Sequence, residues 1–298
     1  MDAYKIVLPP GGPVYPETEE NWFNFPFVLL SIAKRFSGKT ASLSYFLHVL
    51  KRMDRLDRLI LVSPTYQTNS YYFQGLPLDE NDVLEPEIDT ADKVMAIVEA
   101  EARAFDEYHD KLARWNELQK QIRDSRRRLD DINEELLLEF EAMEKPTYKY
   151  MRNGKPYKPI IVMFADDTQG TDFFSPSRKN KLNYMVIKQR HVGSIRHGDG
   201  RAIGINLMFA IQSYTSNSQG VPKSIRNQCN IVTVFKTKND NELKLIAEEL
   251  GGEVNKETFF KLFEEATSIP FGFLTIDLNP KKTAKSMFRQ NWNKYLYP

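Results

Sequence analysis

Ala33-Lys34-Arg35-Phe36-Ser37-Gly38-Lys39-Thr40 stands between an almost unbroken apolar run, Phe25 to Ile32, and a segment with apolar residues at Leu43, Phe46, Leu47 and Leu50. The run fits a strand buried on both faces of a parallel sheet, and the three- and four-residue spacing after it fits a helix from Ser37 to Met53. The loop between them meets the pattern G-x-x-x-x-G-K-[ST] with alanine at its first position. Each part of that pattern has a chemical reason. Backbone N–H groups at a helix N-terminus surround phosphate oxygens. Gly38 lets the backbone come close, Lys39 neutralises the β and γ phosphates, and Thr40 offers a hydroxyl to Mg²⁺. Residues 33–40 are therefore expected to bind ATP, with Ala33 expected to remove some freedom at the turn.

Working outward, Leu59 to Val62 is a second apolar strand closed by Ser63 and Pro64, which completes a strand–helix–strand unit. Ile160 to Phe164 is a third, and it ends at Asp166 and Asp167. The carboxyl edge of a parallel strand is where an open α/β sheet binds ligands. Two acids there suit a division of labour, with Asp166 in the Mg²⁺ shell through water and Asp167 directing the attacking water. Ile203 to Ile211, ending at Gln212, and Ile231 to Phe235 continue the rhythm. A helix around Glu242 to Leu250, stopped by Gly251-Gly252, and a last strand, Phe271 to Leu278, complete it.

Thr90 to Glu144 breaks this rhythm. It contains no Gly or Pro across 55 residues, and Trp115, Leu118, Ile122, Leu129, Ile132, Leu136 and Met143 follow three- and four-residue steps. Ser125 and Glu139 interrupt the seam, so a long helix or a helical hairpin is expected, either packed on its own domain or coiled with another chain. The organisation expected is an irregular leader (1–24), a P-loop core (25–85 and 150–280), a helical insertion (86–149) and a basic, aromatic tail (281–298).

Composition narrows the classes further. The formal net charge is +1, so contact with nucleic acid must come from local patches. Cys229 is the only cysteine, which excludes an internal disulfide and a cysteine-based zinc site. No apolar run is long enough to span a bilayer and the first residues have no secretory pattern, so a soluble intracellular protein without membrane partners is expected.

The strand that runs from Gly200-Arg201 to Gln212 resembles the FtsK/HerA superfamily, in which an arginine precedes the fourth core strand and a polar sensor ends it. Val221-Pro222-Lys223-Ser224-Ile225-Arg226-Asn227, Asp166-Asp167-Thr168-Gln169-Gly170 and Pro270-Phe271-Gly272-Phe273-Leu274 are similar to the genome-packaging ATPases of poxviruses, giant viruses and virophages. The resemblance covers about residues 25–70 and 155–280. It implies a RecA-like α/β P-loop NTPase core with a mainly parallel sheet, assembled as a homo-oligomeric ring. Such a ring would drive double-stranded DNA into a capsid, docked at a capsid vertex or capsid protein, in the host cytoplasm or the virion. It also implies that Gln212 holds the water or senses the γ phosphate, and that Arg201 completes a neighbour's site, with Arg226 and Arg190 as alternatives. Arg178, Lys179, Lys181, Lys188 and Arg190 are the local support for DNA contact. Two other readings stay open: a P-loop kinase of a nucleoside or other small molecule, and a non-enzymatic scaffold built around the helical arm. A GTPase is disfavoured because no Asn-Lys-x-Asp motif is present.

Overall fold

β1 (Val28–Ile32) is buried along its whole length in the computed structural model, which describes residues 22–128, 134–198, 200–215, 221–252 and 254–298. Its side chains alternate between two apolar layers: Val28, Leu30 and Ile32 join one, and Leu29 the other. Such a strand needs partners on both sides. It pairs in parallel with β7 (Asn206–Ile211) and β8 (Ile231–Phe235). Beyond β7 come β6 (Ile161–Asp166), β2 (Arg58–Val62) and β3 (Leu78–Leu84), all parallel. Beyond β8 the sheet turns antiparallel through β9 (Phe273–Asp277), β10 (Phe288–Gln290) and β11 (Lys294–Leu296). Among the described residues these nine strands form one sheet, and a separate hairpin joins β4 (Met151–Arg152) to β5 (Lys155–Pro156). The expected α/β class with a mainly parallel sheet is what the chain adopts.

Helices cover both faces. α1 (Lys39–Arg52) lays Leu43, Phe46, Leu47 and Leu50 on one layer, against Leu61, Phe164, Met208 and Trp292. A short α2 (Tyr66–Asn69) follows β2 near that face. The opposite layer takes α3 (Thr90–Arg128), α5 (Leu182–Lys188), α7 (Asp240–Leu250) and α8 (Lys256–Ala266). The connection from β7 to β8 carries α6 (Lys223–Arg226).

The helical segment is a long helix with a second helix folded back on it, one of the forms expected. α3 is one 39-residue helix, and α4 (Glu134–Ala142) folds back along it. Trp115 meets Phe140 at 4.7 Å between ring centres, and the Arg114 Nη2 lies 2.7 Å from Glu139 Oε2. Leu129 and Ile132 of the expected seam lie outside the described residues. The first half of α3 is not a peripheral arm. Ala91, Val94, Val98, Ala102 and Phe105 are buried in the main core layer. Glu101 of α3 and Asp82 of β3 grip the Arg58 guanidinium of β2, at 2.5 Å and 2.6 Å. At Gly193 a Cβ atom would lie 3.0 Å from the Val98 carbonyl oxygen, so a side chain there would push the helix off.

The C-terminal stretch also differs from the expected tail. β10 and β11 extend the sheet, with Phe288 and Leu296 in the core. Its basic residue Arg289 is 1% exposed, paired with Asp277 at 3.1 Å and held between the rings of Phe23 and Tyr295. Of the leader, residues 1–21 lie outside the described residues, while Trp22 and Phe23 pack onto Phe46.

Candidate nucleotide site

Parallel register sets the site. Ile32 of β1 lies level with Ile211 of β7, and Ala165 of β6 with Phe209 of β7. Three strand ends therefore open at one edge: the loop 33–40 after β1, Asp166 and Asp167 at the end of β6, and Gln212 after β7.

The loop is built on left-handed residues, but not at its first position. Its positive φ values fall at Phe36 (60°) and Gly38 (82°). Ala33 is buried, and its N–H donates to the Ile211 carbonyl at 2.9 Å. A methyl group fits there because the turn asks no special backbone of that residue, contrary to the expectation that Ala33 restricts it. Gly38 starts α1, and a Cβ on it would stand 3.0 Å from the Phe271 ring. Phe36 is 99% exposed at the tip, and Lys34 and Arg35 are exposed beside it.

The cations and acids meet across the edge. Thr40 Oγ1 donates to Asp166 Oδ2 at 2.9 Å. Lys39 Nζ donates to Asp167 Oδ1 at 2.9 Å and lies 3.7 Å from Asp166 Oδ1. Burial pushes the Asp166 carboxyl above its usual range; the Lys39 charge and the Thr40 hydroxyl oppose this, while Asp167 adds to it. Asp166 Oδ1 is buried without a hydrogen-bond partner among the described residues. An orphaned carboxylate oxygen beside a threonine hydroxyl is a donor set of the kind a hard divalent cation takes, so the residues fit Mg²⁺. Asp167, in left-handed backbone (φ 52°), turns out of the strand toward the cleft.

The cleft has a volume of about 500 Å³ and joins Lys39, Thr40 and Asp167 with Thr65, Asn69, Gln169 and Gln212. A second cleft of about 710 Å³ shares Gly38, Ala41 and Tyr72 with it and adds Tyr45, Phe271 and Asn293. Gln169, Asn69, Tyr72 and Phe271 were not singled out as site residues. Gln169 and Phe271 stood inside motifs quoted above, but nothing in their spacing assigns them to the cleft.

The arginines lie elsewhere. Arg201 and Arg190 are exposed in the segment before β7, at the sheet edge opposite the cleft. Arg226 is mostly buried: it donates to the Tyr214 and Val221 carbonyls and to Glu249, with its guanidinium 4.5 Å from the centre of the Tyr214 ring. Arg178, Lys179, Lys181 and Lys188 are exposed on and before α5, the last over the Tyr184 ring. No helix among the described residues is long and apolar enough to cross a membrane.

No protein-family model matches the chain, and no curated protein matches it either. Among solved structures it is similar to the genome packaging NTPase B204 from Sulfolobus turreted icosahedral virus 2 bound to sulfate, with 14% identity, 92% of this chain and 99% of that chain covered, and a TM-score of 0.46. It is also similar to the pCW3 conjugation coupling protein TcpA (14% identity, 97% and 71% covered, TM-score 0.44) and to EssC ATPases 2 and 3 from Geobacillus thermodenitrificans (11%, 96% and 47%, TM-score 0.44).

Proposed function

We propose that this chain hydrolyses ATP and uses the energy to move double-stranded DNA, as the packaging motor of a virus capsid. The observation that carries the nucleotide reading is the contact set Thr40–Asp166, Lys39–Asp167 at the open edge of β1 and β6. Backbone N–H groups of residues 33–40 would take the phosphate oxygens, and Lys39 would exchange its carboxylate partners for them. Asp166 and Thr40 would hold Mg²⁺, which would supply neutralising charge to the phosphates. Asp167 would take up the proton of the attacking water, with Gln212 orienting that water. Tyr45, Tyr72 and Phe271 offer stacking faces for a base in the adjoining cleft.

The motor reading rests on the FtsK/HerA-like strand from Arg201 to Gln212 and on the exposed cations around α5. Arg178, Lys179, Lys181, Lys188 and Arg190 are exposed and could meet a phosphate backbone, which needs charge without sequence preference. A homo-oligomeric ring around duplex DNA, docked at a capsid vertex in the cytoplasmic assembly site or virion, is the arrangement in which those features work together. Phosphate release measured with and without duplex DNA, alongside native mass with and without ATP, tests this. DNA-stimulated release from a closed oligomer is expected. Transfer of the γ-phosphoryl group from ATP to a small acceptor, leaving ADP and no free phosphate, by a monomer or dimer would make the chain a kinase instead.

A further inference from the structure

Gln169 sits in the turn that leaves β6, and its side chain crosses to the end of β7. Its Oε1 accepts the N–H of Gln212 at 2.7 Å and that of Ser213 at 3.1 Å. Two backbone donors on one amide oxygen settle which way the group faces, so its NH₂ is turned away from them. That Nε2 has no hydrogen-bond partner among the described residues, while Gln169 and Gln212 both line the cleft beside Lys39 and Asp167.

The connection continues past the cleft. Ser213 Oγ and the Tyr214 N–H both donate to Glu242 Oε1, at 2.8 Å and 2.5 Å. Glu242 is 3% exposed in the first turn of α7, where the helix N-terminus favours a carboxylate. Tyr214 Oη donates to Glu249 near the other end of α7 at 2.5 Å. A continuous chain of hydrogen bonds thus leads from the acid turn, through the backbone of residues 212–214, to both ends of one helix.

We propose that Gln169 is a positioning residue, which clamps the Gln212 backbone to the acid turn and passes the state of the phosphate site through Ser213 and Tyr214 to α7. This rests on the nucleotide reading above. The physical cause is the exchange at Lys39. A bound phosphate draws Lys39 away from Asp167, two residues before Gln169, and relieves the contact that holds the turn. Because one amide oxygen holds both Gln212 and Ser213, the turn and the end of β7 move as a unit.

The test compares wild type with Gln169→Leu, which keeps the volume and loses the acceptor, and Gln169→Glu, which keeps an acceptor at the same reach. Binding of a fluorescent non-hydrolysable ATP analogue with Mg²⁺, steady-state hydrolysis, and hydrogen exchange over residues 212–215 and 240–250 are measured on each. In wild type the analogue is expected to raise protection over both segments. Gln169→Leu is expected to bind the analogue about as tightly, to lose the response over 240–250, and to lose about a hundredfold in kcat. Gln169→Glu is expected to keep the exchange response. If the leucine variant does not fold, Gln169→Asn, whose acceptor is drawn back by one methylene, serves in its place. Wild-type kcat and exchange response in a folded Gln169→Leu protein would overturn the proposal. So would a parallel loss of binding and turnover in both Leu and Glu variants, which marks a merely structural contact. A wild-type protein that binds no analogue sinks the nucleotide reading itself, and no variant is needed to see it.

Discussion

Lys39 is 7% exposed and has two carboxylates for company before any phosphate arrives. It is the counter-ion of a buried acid besides the phosphate ligand proposed above, a pairing that its place in a motif does not reveal. Lys39→Ala is expected to cost at least about a hundredfold in ATP turnover, as loss of a charge aimed at the reacting group does. The fold is expected to survive because Lys39 lies at the open strand edge and holds no part of either apolar layer. Turnover and circular dichroism on the same sample check both halves, and normal turnover in a folded variant would sink the phosphate assignment. Asp167→Asn is expected to leave Mg²⁺-ATP bound and unhydrolysed, since it removes only the charge that would direct water; loss of ATP binding there would mean Asp166 and Asp167 have exchanged roles. That residues 34–40, Asp167 and Gln212 share one cleft was legible because the motif prescribes residues by type and spacing. Gln169 was not, because its role comes from a contact 43 residues away in sequence. Phe36 and Gly38, not Ala33, carry the left-handed backbone, and no spacing rule distributes that.

At the scale of elements, the strands of the parallel core were readable because burial on both faces writes them as apolar runs. β3 was not, since Leu78-Asp79-Glu80-Asn81-Asp82-Val83-Leu84 is an edge strand whose acids face solvent or Arg58. α8 and the strands β10 and β11 are not legible for a related reason: their short apolar sets become core only beside β9. The division of α3 between core and projection makes a sharp expectation. Replacing Lys111–Ala142 with a short Gly/Ser linker should preserve fold and ATP affinity, because it spares Phe105, Tyr108 and the Tyr148 ring stacked on Tyr108. A deletion starting at Thr90 should not fold, since each large buried side chain lost costs about 2–5 kcal/mol and Arg58 loses Glu101. Thermal melts of the two deletions decide it. α3 also carries one half of a stacked histidine pair. His109 stacks on His197 at 5.3 Å, with Asp106, Asp110 and Arg196 around them. Burial first, and then the His197 charge, hold the His109 pKa below 6.5. The folded state therefore binds fewer protons than the unfolded chain between that depressed value and 6.5, and stability falls as pH drops through this window. His109→Gln is expected to flatten the loss of Tm on acidification from about pH 7.5 to about pH 5.5. An unchanged pH dependence of Tm would show that His109 is not the group that titrates.

At the scale of the whole molecule, the sheet separates the two groups that the proposed hydrolysis would use. The phosphate loop follows the C-terminal end of β1, and Arg201 precedes the N-terminal end of its parallel neighbour β7. The six residues of β7 span about 20 Å, beyond the reach of one arginine side chain. If Arg201 serves a phosphate site at all, the site would therefore be that of a second copy of the chain. This is why its role was open at the sequence level: the motif supplies an arginine, but only the topology says which edge it occupies. Arg226 is held by Tyr214 and Glu249, which leaves exposed Arg190 as the nearer alternative. If Arg201 is the trans-acting finger, Arg201→Ala subunits will bind ATP normally and hydrolyse it about a thousandfold more slowly or worse. Wild-type turnover per subunit will fall steeply on dilution, because a lone subunit lacks the finger. Mixing Arg201→Ala subunits with Lys39→Ala subunits will restore part of the activity, since some interfaces then pair an intact phosphate loop with an intact arginine. Mixed oligomers verified by native mass that stay inactive would move the role to Arg190, or mean that hydrolysis here proceeds without a neighbour's arginine.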